Sequence, residues 1–244
     1  MQTIDINCDV GEGIGNEIDL MPYISSCSIA CGAHAGTKET IIETIKLALR
    51  HNVKIGAHPS FPDKENFGRE VMDITPEDLQ VSIENQIKLV KDSVERLGGE
   101  LHHIKAHGAL YNVSAVNKKI AQIIVNVVKK MTNDVFLYVP YNSVIQSLAI
   151  KNNLKIKVEA FADRNYNTDL TLVSRKNVNA LITDSKILIP HLLKMTTEQK
   201  LISVGGIEVE IMADTFCIHG DNPNVKSLLK FVHKKLHKNG IKIV

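Results

Sequence analysis

A chain of 244 residues with 44% apolar and 23% charged residues has the composition of an ordinary globular protein, not of a disordered, collagen-like or coiled-coil one. Its 29 basic and 27 acidic residues leave a formal charge of +2, too weak a field to steer nucleic acid or an anionic membrane. The cysteines Cys8, Cys27, Cys31 and Cys217 form no CxxC pair, and no apolar run approaches the ~18 residues of a membrane span. No basic and apolar leader opens the sequence, so reduced thiols and a cytoplasmic location are expected.

In chain order, short β-branched runs alternate with helical patterns. The predicted strands are 4–10, 28–31, 53–57, 102–106, 135–139, 156–161, 180–183 and 215–218. Between them, apolar residues recur three and four apart, as in Ile41, Ile45 and Leu49, then Ile87, Val90, Val94 and Leu97, then Ile120, Ile124 and Val127. Thr75-Pro76-Glu77-Asp78 supplies an N-cap, a first-turn proline and two acids, and Gly98-Gly99 stops the helix that follows. Residues 198–214 break the rhythm: 201–204 and 207–212 flank Gly205-Gly206 as a predicted hairpin. The basic stretch 226–242 carries Leu228, Leu229, Val232 and Leu236 at helical spacing. It reads as a terminal amphipathic helix with a solvated cationic face, since no aromatics interleave to stack on bases. A repeated β-helix-β pattern means parallel strands, in an open doubly wound sheet or a barrel. No linker divides it, and the chain reads as one domain over 1–244.

Strands of a covered parallel sheet are normally apolar on both faces. Strand 4–10 departs from this: Ile4, Ile6 and Cys8 alternate with Asp5, Asn7 and Asp9, so one face carries two carboxylates and an amide. An edge strand with a wet face would look the same. Later strands, however, also end in chemically capable residues: His34 after Cys31-Gly32-Ala33, His58 after Gly56-Ala57, Lys105 and His107, Asp163-Arg164, and His219-Gly220-Asp221. In parallel α/β folds the C-terminal strand ends form the rim of the active site. Recurrence at equivalent positions therefore points to a shared site. Ala33, Ala57, Ala106 and Ala162 are expected to leave room for a ligand beside it.

Asp9, His34, His58, His107 and His219 would suffice to ligate zinc or a similar ion. Against that, His103, Lys105 and His107 are expected on one strand face, where an ammonium would oppose a dication. No metal is assigned, with Asp9, His58 and His107 the first choice of ligands if one is present. Cys31 as a nucleophile or zinc ligand is the lesser reading beside a buried apolar thiol. Gly11-Glu12-Gly13-Ile14-Gly15 is not G-x-G-x-x-G, and the chain has no G-x-x-x-x-G-K-[ST] to hold a nucleotide.

At these residues the sequence resembles the LamB/YcsF family, whose members are described as the A subunit of 5-oxoprolinase. The stretches that carry the resemblance run through the chain in order: 5–13, 29–36, 55–63, 67–69, 104–112, 159–164 and 217–223. Ala33, Ser60 and Ala106 stand where Phe, Gly and Pro are expected, all beside site residues. The resemblance implies an irregular parallel β/α barrel of about seven strands, related to glycoside hydrolase and deacetylase barrels. It also implies hydrolysis of 5-oxo-L-proline to L-glutamate, coupled to ATP shared with partner subunits B and C. On this reading Asp9, His58, Lys105 and His107 are catalytic. Asp5, Asn7, Glu12, His34, Asn112, Asp163, Arg164, His219 and Asp221 bind substrate. Asp9 would be the base for water, His58 or His107 the acid for the leaving nitrogen, and Lys105 and Arg164 the anion binders. A metal-dependent deacetylase or amidohydrolase acting alone, or a carbohydrate-binding barrel, is the alternative.

Overall fold

The computed structural model describes residues 2–132 and 134–244. Seven parallel strands close on themselves: β1 (Gln2–Val10), β2 (Ser26–Ala30), β3 (Lys54–His58), β4 (Leu101–Ile104), β5 (Phe136–Pro140), β6 (Ile156–Phe161) and β9 (Thr215–Cys217), which returns to β1. The expected seven-stranded β/α barrel is thus the observed fold. The antiparallel pair β7 (Lys200–Ile202) and β8 (Glu208–Glu210) is the predicted hairpin. Two expectations need correction. Residues 180–183 form no strand, only an isolated bridge between Arg164 and Leu181, because this stretch folds back over the barrel mouth. The basic helix ends at Lys238, and Gly240, at φ +73°, turns the chain into β10 (Ile241–Ile243), which pairs with the start of β1.

Helices wrap the outside, with their apolar stripes against the strands. α2 (Lys38–Arg50) opens with a reciprocal cap in which Thr37 Oγ1 accepts from the Thr40 amide and Thr40 Oγ1 from the Thr37 amide. It buries Ile41, Thr44, Ile45 and Ala48. α3 (Pro76–Arg96) has the predicted Thr75 cap, and Gly98 at φ +78° ends it. α4 (Gly108–Val116) and α5 (Lys118–Met131) follow β4, and α8 (Val225–Lys238) seats Leu228, Leu229, Val232 and Leu236 on the core.

The alternation in β1 is explained by closure, not by a wet edge. Ile4, Ile6, Cys8 and Val10 join the apolar core, and Asp5, Asn7 and Asp9 are buried too. The barrel interior is therefore a polar column. At its lower end Asp5 Oδ1 accepts from Ser26 Oγ (2.8 Å) and Thr215 Oγ1 (2.6 Å), with Lys54 and Lys157 ammoniums 3.7 and 3.8 Å from Oδ2. Above it His103 lies stacked on Tyr138, with centroids 4.0 Å apart, and within 3.2 Å of Ser28 Oγ. A Cβ on Gly56 would come within 2.2 Å of the His103 ring, so this imidazole requires glycine opposite it. Ala57 and Ala162 lie in the apolar core, not beside a ligand; of the four small neighbours, Ala106 lines the cavity described next.

Candidate active site

A cavity of about 640 Å³ opens at the C-terminal ends of the strands, lined by Asp9, Glu12, His58, Lys105, His107, Asn112, Glu159, Arg164, His219 and Asp221 among others. The barrel's parallel topology explains the convergence, since every strand delivers its last inward residue to the same end. Asp5 and Asn7 lie deeper, and His34 lies behind the rim with 2% of its surface exposed.

Lys105 occupies the floor. The strand-like contact continues past β4, with the Lys105 amide donating to Ala57 O (3.0 Å) and the His107 amide to Pro59 O (2.8 Å). The Lys105 ammonium donates to Asp9 Oδ1 (2.9 Å), Asn7 Oδ1 (3.2 Å) and Cys217 Sγ (3.2 Å) and forms an ion pair with Glu159 Oε1 (2.8 Å). Burial works against this charge, but Asp9, Cys217 and Glu159 outweigh it and hold Lys105 well above its ordinary value. Asp9 is likewise fully buried, yet His58 and Lys105 keep its carboxyl well below the usual range. Asn7 donates to Glu159 Oε1 (2.9 Å), which orients it for Lys105, and to Thr215 Oγ1 (2.8 Å). Glu159 Oε2 and the Tyr111 hydroxyl are buried in the cavity wall without a hydrogen-bond partner.

Three imidazoles stand beside this floor. The His107 and His34 rings are stacked at 3.8 Å and 4°, and both meet Phe67 edge-on. His107 is not on β4. It is the N-cap residue of α4, reached by an extended path along which His103, Lys105 and His107 still face inward: His103 lies deepest, Lys105 reaches Asp9, and His107 reaches His58. Phe67 holds the αL conformation at φ +56°, a strained position for a bulky residue, and its carbonyl accepts from His107 Nε2 (2.9 Å). His58 Nδ1 donates to Lys105 O at 2.8 Å, and its Nε2 lies 3.0 Å from His107 Nδ1 and 3.4 Å from Asp9 Oδ2. Burial and then His58 push His34 down to about 3; burial and then His34 push His107 well below its ordinary value. Both rings are therefore neutral at pH 7. Burial and then Asp9 push Glu12 up to about 7.

On the opposite wall Asp163 accepts from His219 Nδ1 (2.8 Å), the His219 amide (3.1 Å) and Asn222 Nδ2 (3.0 Å), and the His219 ring stacks on Phe161. A Cβ on Gly220 would approach Asp9 O to 2.2 Å, so glycine lets the His219 segment close on β1. Arg164 is partly committed elsewhere: Nε donates to Ala180 O (3.2 Å) and one Nη to Val173 O (2.6 Å), which fastens the loop covering the mouth. Arg69, Arg175 and Lys176 line the opening, the first two paired with Asp221. Burial pushes the Cys31 thiol up to about 12, and it sits against Ile29 O, an inert packing role.

Residue reasoning did not single out Glu159, Tyr111, Arg69 or Arg175. The first three fall within the family-like stretches 159–164, 104–112 and 67–69, where a usable signal lay; Arg175 sits in an irregular loop that carried none.

Known proteins agree with this geometry. A relative from Bacillus cereus (strain B4264), named as the A subunit of 5-oxoprolinase, is 40% identical over 250 residues, covering 100% of this chain and 98% of that protein. The crystal structure of a "Lactam Utilization Protein" from Thermus thermophilus superposes with a TM-score of 0.92 at 34% identity, covering 100% of this chain and 99% of that one. A GH18 chitinase from Pseudoalteromonas aurantia (TM-score 0.51, 9% identity, 93% and 99% covered) and a Bdellovibrio bacteriovorus peptidoglycan deacetylase (TM-score 0.50, 11%, 100% and 51%) are alike in fold alone. The sequence model of the LamB/YcsF family matches residues 4–244, and this chain belongs to that family.

Proposed function

We propose that this chain is the A subunit of a cytoplasmic, ATP-consuming 5-oxoprolinase that works with partner subunits B and C to hydrolyse 5-oxo-L-proline to L-glutamate. The family and the full-length relative support the reading. The observation that carries it is the buried Lys105 ammonium between Asp9 and Glu159 on the floor of a cavity sized for a small molecule. Such a charge cluster is costly to bury and is kept where chemistry uses it.

A five-membered lactam is an unstrained amide, so opening it requires an activated carbonyl, a deprotonated water and a protonated leaving nitrogen. ATP, shared with the partner subunits, would supply the phosphoryl group that activates the lactam oxygen. Water adds at that carbon and gives a proton to Asp9, which Lys105 keeps ionised. The C–N bond then breaks as the nitrogen takes a proton, and the acyl phosphate left behind is hydrolysed by a second water to glutamate and phosphate. His219 is the better donor for that nitrogen. It lines the cavity, and the Asp163 carboxylate on Nδ1 stabilises the imidazolium that gives the proton from Nε2, whereas His58 and His107 have only a neutral backbone carbonyl on the outer nitrogen. Arg164, which lines the cavity and keeps donors beyond its two loop bonds, is joined by Arg69 and Arg175 as anion binders at the mouth.

In reconstituted subunits, Asp9→Asn and Lys105→Met are each expected to lower 5-oxoproline-dependent formation of glutamate and ADP about 100-fold or more. Near-native turnover by both, with folding intact by circular dichroism, removes this site from consideration.

A further inference from the structure

The proton positions on the three imidazoles follow from their outer partners. Carbonyl oxygens only accept, so His58 carries its proton on Nδ1, toward Lys105 O, and His107 on Nε2, toward Phe67 O. The Ser60 hydroxyl gives its own proton to Phe61 O (2.8 Å) and therefore accepts from His34 Nδ1 (3.0 Å). The inward nitrogens of the two neutral rings, His34 Nε2 and His107 Nδ1, are left as lone pairs. They face one another and a carboxylate: Glu12 Oε1 is 3.4 Å from His34 Nε2 and 3.5 Å from His107 Nδ1. Acceptors in contact need a positive centre between them.

We propose that Glu12, His34 and His107 hold a divalent cation of the zinc class at the edge of the cavity. The donor set of imidazole and carboxylate suits such an ion. Ligands about 2.1 Å from a tetrahedral zinc lie about 3.4 Å from one another, the spacing of Glu12 to both imidazoles. The ligand atoms of Glu12, His34 and His107 all lie within 4.8 Å of each other. Both imidazoles also donate their outer N–H to a carbonyl or hydroxyl, the support that metal-bound histidines need. Glu12 sits between Gly11 (φ +72°) and Gly13 (φ +85°), a backbone able to draw the carboxylate inward. Lys105 does not oppose the ion, since its charge is spent on Asp9 and Glu159. A proton on His58 Nε2 would answer its contact with Asp9 and His107 but leave Glu12 against His34 and His107. Only a second proton, on Glu12, completes a metal-free alternative.

The test is binding, so it is independent of the lactam reading. Metal-stripped protein is titrated with zinc chloride by calorimetry, its metal content is measured by plasma mass spectrometry, and cobalt(II) is followed by visible absorption. One zinc per chain is expected, with ligand-field bands for cobalt. His34→Ala and Glu12→Gln should weaken affinity at least about tenfold, Ser60→Ala about tenfold through loss of the His34 support, and the exposed His237→Ala not at all. Glu12→Gln keeps the test valid if His34→Ala does not fold. A wild-type chain that takes up no zinc, the two-proton outcome, overturns the proposal. So does wild-type affinity in both His34→Ala and Glu12→Gln.

Discussion

Around Lys105 an ammonium meets a ring of acceptors, Asn7, Asp9, Glu159 and Cys217, whereas around Glu12 its carboxylate and the acceptor nitrogens of His34 and His107 face one another. Both clusters are buried at the same end of one barrel. The first carries its compensating charge within the chain. The second has every outer proton fixed on the protein and its inner side left for something from outside. Completed charge holds the fold and sets the field at the floor; incomplete coordination marks where a ligand enters.

The largest effect that tests this contrast comes from Lys105→Met. Removing the ammonium leaves two carboxylates, Asp9 and Glu159, buried without their cation. Breaking a buried pair in this way costs about 3–5 kcal/mol. Urea unfolding followed by circular dichroism should show a drop of that size, partly recovered in Lys105→Met/Glu159→Gln. A loss below about 1 kcal/mol would mean that Lys105 does not complete its cluster.

Glu12→Gln should act in the opposite direction in the metal-free chain. The amide supplies a donor facing His34 Nε2 and His107 Nδ1, where the carboxylate supplies another acceptor. A gain of about 1 kcal/mol in unfolding free energy is expected without metal. With excess zinc the order should reverse, because binding to the folded state stabilises the wild type more, by about 1.4 kcal/mol for each tenfold in affinity. A variant less stable than wild type in chelator would remove the clash of acceptors from the account.

Much of the barrel was legible because local chemistry and packing agree: the Thr75-Pro76 helix start, the Gly98 stop and the β-branched runs other than 180–183 produce the predicted elements. The polar strand ends were legible as well, since period-two alternation in β1 assigns Asp5, Asn7 and Asp9 to one face. What alternation leaves open is depth. Only closure of the sheet decides that Asp5 lies at the bottom of the barrel with Lys54 and Lys157 while Asp9 reaches Lys105 at the cavity floor. His107 was misplaced for a local reason: β4 stops at Ile104, yet the backbone bonds from Lys105 to Ala57 and from His107 to Pro59 prolong an extended path into α4. Residues 180–183 look like a strand from their composition, but their partners are Arg164 and Asp163 in the covering loop, a contact set by tertiary position. Arg175 pairs with Asp221 across 46 residues, and no local pattern announces such a partner.

The smallest effect belongs to that mouth pair. Burial acts to raise the Asp221 carboxyl, but His219, Arg175 and Arg69 together hold it below its ordinary value. A carboxylate lowered in the folded state contributes stability that is present above the unfolded value of ~3.9 and is lost as pH falls through the folded value. Arg175→Ala should therefore reduce unfolding free energy by at most about 1 kcal/mol near pH 7, since the pair is partly solvated. The difference from wild type should shrink as unfolding curves are measured at successively lower pH below about 4. A difference that grows toward acid would show that Arg175 works through packing and not through the Asp221 charge. In that case the mouth, like the Lys105 floor, would be fixed internally, and the anion-binding role would pass to Arg69 and Arg164.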